Sequence, residues 1–284
     1  MLKKVLFILS FVLVLTSCIN LSDNGDSYEY EIIDSQAIIT KYIGDSEVAV
    51  IPEIIKEKGK TYEVTSIGDV AFYSNNKIKR LQITKNITSI GTHSFFNCEN
   101  LEAISIDSIE FTIGSNAFEG CDSVKVLTYN GTLEDWCKFD FTANSNPAGS
   151  YTKVYMMNEE NEIVHLESLK VPTSVTSIKD YQFMGFNVER IELHDNITSI
   201  GAYSFSNCQS ILSINIPASV TSIGDGAFSG CNSVKNVYIP NSVINMGMSV
   251  FGSYSTTYTI NVDLSEKPAT WHDSWCGNNV VNWK

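Results

Sequence analysis

The chain has 284 residues, a formal net charge of −13 and 43% hydrophobic residues. So acidic a chain is a poor match for nucleic acids or anionic membrane surfaces, which attract basic proteins, and we predict no nucleic-acid partner. The length and apolar content allow a large buried core.

Residues 1–17 are predicted to be a signal peptide. A basic pair precedes an apolar run from Val5 to Val14, which is too short to span a bilayer. Residues 15–18, Leu-Thr-Ser-Cys, resemble a bacterial lipobox, in which the cysteine becomes the acylated first residue. We therefore predict lipidation at Cys18, membrane attachment through that lipid, and a linker over 18–27. An ordinary cleaved signal is the alternative.

The rest of the chain repeats about every 23 residues. The phrase Thr-Ser-Ile-Gly marks most returns, and self-similarity at such a period indicates a solenoid, in which stacked coils bury a common core. Function in a solenoid usually lies on an extended surface rather than in a pocket. The recurring residue is isoleucine or methionine, at Ile67, Ile90, Ile113, Ile178, Ile200, Ile223 and Met246.

Each repeat begins with a short β-like run and a glycine corner, which Lys179 breaks once, so that we expect a different corner there. A phenylalanine follows, in a segment that allows at most one helical or 3₁₀ turn. The last third alternates apolar and polar residues, as in Val237-x-Ile239, which predicts a strand. Stacked phenylalanines would form a ladder in the core. They are Phe72, Phe95, Phe118, Phe183, Phe205, Phe228 and Phe251.

Four cysteines, Cys98, Cys121, Cys208 and Cys231, share one position of the repeat. Equivalent side chains of neighbouring coils are parallel rather than opposed, which is unfavourable for a disulfide. We predict a column of small buried thiols. The state of Cys137 and Cys276 stays open.

Residues 220–240 match the pattern Val-Thr-Ser-Ile-Gly-x-x-Ala-Phe-x-x-Cys-x-x-Leu-x-x-Ile-x-Ile-Pro almost letter for letter. This pattern resembles the BspA-like leucine-rich repeat proteins of bacterial surfaces. The resemblance implies a leucine-rich-repeat solenoid of the α/β class, dominated by strands, with a parallel sheet along one face and short turns opposite. It also implies a non-enzymatic surface lipoprotein with an adhesive role.

The predicted organisation places repeat coils on both sides of an irregular module. Within that module, Thr132 and Asp135 have the spacing of a capped helical turn, and two apolar runs indicate a hairpin or an irregular double coil. We interpret the module as part of the solenoid, with a separate binding insert as the alternative. The segments are an amino-terminal cap over 28–63, coils over 64–130, the module over 131–165, coils over 166–264 and a carboxy-terminal cap over 265–284.

Nothing in the sequence indicates catalysis, a metal site or a cofactor. The four histidines fall at unrelated phases of the repeat and lack metal-ligand spacing. Cys137 and His165 could form a thiol triad with a carboxylate only if unrelated positions converged, and nothing local activates the thiol. We predict that the protein is not an enzyme.

The outward positions of the predicted strands form the candidate binding face, which is polar and varies from coil to coil. A merely solvated face would have a similar composition. The candidate residues are Arg80, Gln82, Ser105, Thr128, Arg190, Glu192, His194, Asn215, Asn236 and Tyr238.

Three functions remain open at this point. The first is binding of an extracellular protein or matrix component at the bacterial surface, and the second is a structural role in the envelope. The third is carbohydrate capture through Trp271, Trp275 and Trp283, for which packing in the cap is the alternative role. The oligomeric state is open in all three.

Overall fold

The structure, a computed structural model, describes residues 27–252 and 257–284. The predicted signal peptide, Cys18 and nearly all of the predicted linker lie outside the described residues. The chain divides into two compact units, with the boundary between Gly131 and Thr132. Each unit is a strand-dominated solenoid of stacked coils, which confirms the predicted fold class.

Unit 1, which ends at Gly131, contains two sheets. One has the strand order β1-β2-β5-β7-β9, with β4 paired to β5, and the other has the parallel order β3-β6-β8-β10. The strands are β1 (Tyr28–Ile33), β2 (Gln36–Tyr42), β3 (Val48–Val50), β4 (Ile54–Glu57), β5 (Lys60–Ile67), β6 (Arg80–Ile83), β7 (Ser89–Ile90), β8 (Ala103–Ile106), β9 (Thr112–Ile113) and β10 (Val126–Tyr129).

Unit 2, from Thr132 onwards, contains one short helix and four groups of strands. β11 and β12 form an antiparallel hairpin, and the parallel groups have the orders β13-β15, β14-β16-β18-β20 and β17-β19-β21-β22. The elements are α1 (Leu133–Trp136), β11 (Lys153–Met157), β12 (Ile163–His165), β13 (Ser168–Lys170), β14 (Ser177–Ile178), β15 (Arg190–Glu192), β16 (Ser199–Ile200), β17 (Ser213–Asn215), β18 (Ser222–Ile223), β19 (Asn236–Ile239), β20 (Asn245–Met246), β21 (Thr259–Val262) and β22 (Val280–Trp283).

The short strands at the start of successive coils also pair with one another in parallel, in addition to the single sheet that was predicted along one face. The Ser-Ile pairs of successive coils bond in register, for example Ile67 with Ile90 and Ile200 with Ile223. The following glycine extends the ladder, since Gly91 N donates to the Ile67 carbonyl at 2.8 Å. Each unit therefore has a second parallel sheet.

The phenylalanine ladder and the thiol column are present as predicted. The rings of Phe72 and Phe95 stack with centroids 4.7 Å apart, and those of Phe205 and Phe228 at 5.2 Å. The cysteine column is buried, and the six cysteines of the described residues are free thiols. Each thiol of the column donates to the carbonyl of a phenylalanine one coil earlier, as from Cys231 Sγ to Phe205 O at 3.2 Å. The column thus contributes packing and satisfied hydrogen bonds.

Both predicted features of the irregular module are present in unit 2. Thr132 caps α1 in a capping box, in which its side chain accepts from Asp135 N at 3.1 Å and its backbone N–H donates to the Asp135 carboxylate. β11 and β12 form the predicted hairpin. The remaining segments around the phenylalanines are hydrogen-bonded turns, and α1 is the single helix of the described chain.

Candidate binding face

The outward side chains of unit 2 form two rows on the sheet that contains β17, β19, β21 and β22. Parallel pairing aligns Asn215 with Tyr238, then Asn261, then Asn282. The second row runs through Ser213, Asn236, Thr259 and Val280. Neighbouring strands lie about 4.8 Å apart, so that the rows present closely spaced and ordered side chains.

Most predicted residues of this face are accessible. Arg190, Glu192, Asn215 and Asn236 are exposed, and Tyr238 is 46% exposed. Arg190 and Glu192 pair loosely, with Nη1 and Oε1 at 3.8 Å, and both stay in solvent. A loose ion pair on the surface contributes little to stability, which leaves both groups available for a partner.

Sequence reasoning missed Asn261 and Asn282, which continue the row beyond Tyr238. Asn282 Nδ2 donates to Asn261 Oδ1 at 3.2 Å, so that the two amides form a short ladder. The coil that contains Asn261 is degenerate in sequence and lacks the Thr-Ser-Ile-Gly phrase. The alternation of apolar residues at Ile260 and Val262 is the sequence signal that could have identified the strand that contains Asn261.

His194 supports a turn and contributes no free hydrogen-bonding group to the face. Its Nε2 lies 2.9 Å from the Pro172 carbonyl, which can only accept, so Nε2 carries the proton. Its Nδ1 accepts from Asn196 N at 3.2 Å. The imidazole therefore positions the chain that follows β15.

The corresponding row of unit 1 differs from the prediction. Ser105 and Thr128 were expected to be outward and accessible, but they are 6% and 3% exposed. Arg80 and Gln82 are half-buried. A hydrogen-bonded network lies beside the row and includes two of its side chains, Gln82 and Ser105.

Asp107 is the centre of this network. Gln82 Nε2 donates to Asp107 Oδ2 at 2.7 Å, and Ser105 Oγ donates to Oδ1 at 3.3 Å. Asn130 Nδ2 also donates to Oδ1. Gln82 and Ser105 of the row are therefore bonded to Asp107, whereas the Thr128 hydroxyl is buried without a hydrogen-bond partner among the described residues. The row in unit 2, by contrast, is exposed.

The structure does not support a catalytic triad built on the Cys137 thiol. Burial, followed by the negative charge of Glu134, raises the pKa of Cys137 to about 12, so that its thiol is protonated at neutral pH and is a poor nucleophile. Burial and then Lys153 lower the pKa of His165, whose ring packs on Tyr155 at 5.1 Å. Across 27–252 and 257–284, no group of three or more histidines, cysteines or carboxylates is placed to hold a metal ion.

The terminal tryptophans close the ladder of unit 2. Trp275 contacts Phe251 edge to face at 6.1 Å, and Trp271 contacts Trp275 at 5.0 Å. Trp271 and Trp275 are each 2% exposed, and Trp283 packs on both. Buried rings cannot stack on a sugar, so Trp271 and Trp275 have the packing role that was the alternative.

The described part of the chain has no helix of the length and hydropathy needed to cross a membrane.

Comparison with solved structures finds leucine-rich repeat proteins of bacteria. A leucine-rich repeat protein of Bacteroides ovatus aligns with a TM-score of 0.52 at 20% identity, over 91% of this chain and 70% of that one. A leucine rich cell surface protein of Faecalibacterium prausnitzii aligns at 0.33 and 18% identity, over 91% and 93%. A leucine-rich repeat protein of Bacteroides capillosus aligns at 0.39 and 28% identity, over 46% and 95%.

A separate comparison with curated proteins finds no match. The family model for the BspA type leucine rich repeat region matches residues 58–148 and 160–268, with six copies of the repeat. These matched segments comprise more than half of the chain and include coils of both units. The chain belongs to the BspA-type leucine-rich repeat family.

Proposed function

We propose that this protein is a non-enzymatic, lipid-anchored protein of the bacterial surface that binds an extracellular protein through the open sheet face of unit 2. The face consists of Arg190, Glu192, Asn215, Asn236 and Tyr238, extended by Asn261. Its role is adhesion to host matrix or to other cells. Membership of the BspA-type family supports the placement at the surface.

The observation that carries the proposal is the contrast between the two outward rows. In unit 1, Ser105 and Thr128 are buried and Gln82 is bonded to Asp107, whereas in unit 2 the aligned side chains are exposed around Tyr238. A face that combines an exposed tyrosine, amides and an arginine has the composition of an interaction hot spot, because such side chains combine apolar area with hydrogen bonding. A rigid sheet also orders these side chains before binding.

The lipid anchor follows from the lipobox at residues 15–18. Two or more acyl chains on Cys18 would hold the protein at a bilayer without a membrane-spanning helix. Mass spectrometry of the mature protein tests this part. An amino-terminal residue other than acylated Cys18 would refute lipid anchoring and leave the binding face untested.

The binding function is tested by capturing partners from purified matrix proteins and from envelope extract in parallel. Tyr238→Ala should weaken binding to the captured matrix protein by at least about tenfold, since truncating a central aromatic hot spot costs about 2 kcal/mol or more. Ile244→Ala is the matched control. Ile244 is also exposed, at 56%, but it lies directly before β20, which belongs to the sheet β14-β16-β18-β20 and not to the proposed face.

Two results would contradict the proposal. Equal loss of affinity in both variants would remove the sheet face as the binding site. Capture of an envelope component, with no matrix protein retained, would replace adhesion with a structural role in the envelope.

A further inference from the structure

A groove of about 730 Å³ opens in unit 1, away from the outward row of β6, β8 and β10. Residues 40–44, at the end of β2, line one side, and residues 70–77, in the turn after β5, line the other. The groove belongs to neither the face proposed above nor the core ladder.

The groove exists because the backbone ladder between coils stops early at this point. Between the first two repeats, the ladder continues from Phe72 N–Ser94 O to Ser74 N–Phe96 O, at 2.6 and 2.7 Å. Between β2 and the first repeat, Gly68 N–Ile39 O and Tyr42 N–Ala71 O form, at 2.7 and 2.8 Å, and Ile43 N then bonds Ser27 O instead. Within the described residues, the Tyr73 carbonyl accepts no hydrogen bond.

Tyr73 provides an aromatic surface in the groove. Its ring stacks on Phe96 of the next coil, with centroids 5.1 Å apart and planes 10° apart, yet it remains 53% exposed. Phe96 covers one face of the ring, so the opposite face is the one open to the groove. Ile43 and Val70, which are 50% and 52% exposed, lie beside it.

Val70 has a backbone conformation that costs free energy. Its φ is 55°, in the left-handed region that β-branched residues avoid. Asn116 occupies the equivalent position two coils later with φ 56°, and asparagine tolerates this region well. The equivalent residues of other coils, such as His93 and Tyr203, have the same positive φ, so the conformation belongs to the repeat turn. The unusual feature of this coil is a half-exposed, β-branched residue at that position, which adds apolar surface to the groove.

Two asparagines of the groove carry side-chain donors, and each lysine that lines it, Lys41 and Lys77, lies beside a carboxylate. Asn75 Oδ1 accepts from the backbone N–H groups of Lys77 and Ile78 at 3.0 and 3.1 Å, and Asn76 Oδ1 accepts from Glu99 N at 3.3 Å. The Nδ2 groups of Asn75 and Asn76 have no acceptor among the described residues. Lys77 is neutralised by its ion pair with Asp45.

We infer that this groove binds a neutral saccharide. The polarised C–H groups of a pyranose ring pack on the electron-rich face of Tyr73, between Ile43 and Val70. Sugar hydroxyls accept from the Nδ2 groups of Asn75 and Asn76 and donate to the Tyr73 carbonyl. An apolar peptide side chain would fill the same space but leave these amides and the carbonyl unpaired, which disfavours it.

The test measures binding of the full chain to neutral oligosaccharides, first on a glycan array and then by calorimetry with the glycans retained. Tyr73→Ala should weaken binding by at least tenfold, and Tyr73→Phe, which keeps the ring, by less than threefold. Tyr151→Ala is the control, because Tyr151 is 62% exposed and belongs to unit 2.

The variant Val70→Asn distinguishes a loss of sugar binding from a loss of stability. Asparagine relieves the backbone conformation, so the variant should be at least as stable as the parent while binding the sugar several-fold more weakly. Absence of any neutral glycan ligand, binding of apolar peptides alone, or equal loss in the Tyr73→Ala and Tyr151→Ala variants would each overturn the inference. None of these results depends on the matrix-binding face of unit 2.

Discussion

The indole of Trp136 and the backbone of Gln182 are joined by a buried hydrogen bond, with Nε1 at 2.8 Å from the carbonyl oxygen. The Gln182 side chain bonds in the opposite direction, from Nε2 to Trp136 O at 3.3 Å. Both residues are fully buried. Lys179, at the break in the glycine column, adds a bond from Nζ to Lys138 O at 2.7 Å. The segment around α1 is thereby fixed to the first repeat coil of unit 2.

Trp136→Ala should destabilise unit 2 by about 3–5 kcal/mol, because it removes a fully buried indole together with its hydrogen bond. Its ring contacts with Phe139, Phe141 and Phe186 are lost at the same time. Trp136→Phe keeps an aromatic ring and should cost roughly 1–2 kcal/mol, mainly for the lost indole hydrogen bond, since Asn146 Nδ2 still donates to the Gln182 carbonyl at 3.2 Å. Urea denaturation followed by tryptophan fluorescence measures both. A loss below about 1 kcal/mol in the alanine variant would show that the module is not held by Trp136.

The thiol column predicts a loss of stability at alkaline pH. Burial raises the pKa of Cys231 from 9.0 to about 12. Below about pH 9 the thiol is protonated in both states, and its contribution to stability is fully present. Between about pH 9 and pH 12 the unfolded chain releases the proton while the folded chain keeps it. The free energy of unfolding should therefore fall by up to about 1.4 kcal/mol per pH unit for this thiol.

Comparison of the parent with Cys231→Ala isolates this contribution. Urea denaturation at about pH 8 and about pH 10.5 gives the change in unfolding free energy for each protein. The alanine variant should show a smaller fall, whatever its stability at about pH 8, because one titrating thiol is missing. Equal falls in the two proteins would contradict burial of the Cys231 thiol.

The core columns could be predicted from the sequence because each one recurs at a fixed spacing. Phe228 recurs in six other coils and Cys231 in three others, each at a fixed position of the repeat, and stacking follows directly from that repetition. It was harder to predict that two-residue strands such as β18 form a sheet, because so short a strand is defined only by its pairing with the coils before and after it.

Exposure of the outward rows could not be predicted from any one coil. Burial of Ser105 depends on Gln82 and Asp107, and Asp107 in turn bonds Asn130, 23 residues further along the chain. In unit 2 the corresponding neighbours of Tyr238 are asparagines that leave it exposed. The groove beside Tyr73 depends on where one backbone ladder stops, which has no periodic signal.

Gly224→Ala should destabilise unit 2 by roughly 1–3 kcal/mol through overpacking. A Cβ at this corner would lie 2.5 Å from Ala202 N and 2.9 Å from Ala202 Cα, and these backbone atoms of the preceding coil can move only if the ladder shifts. Ser222→Ala, two residues earlier, is the control and should change stability by less than about 0.5 kcal/mol. Thermal unfolding of the two variants checks the difference. Similar melting temperatures would mean that the corner is looser than the structure indicates.

Asp107→Ala should destabilise unit 1 by about 1–3 kcal/mol, because the amides of Gln82 and Asn130 lose a shared acceptor in a half-buried site. Asp122→Ala is the control, since Asp122 is an exposed carboxylate of the same unit and should change stability by less than about 0.5 kcal/mol. Denaturation of both variants measures the effect. The same pair also tests the assignment of function: if unit 2 alone carries the binding face, Asp107→Ala should leave the affinity for the matrix partner within about twofold. A large loss of affinity in a variant that remains folded would extend the face into unit 1.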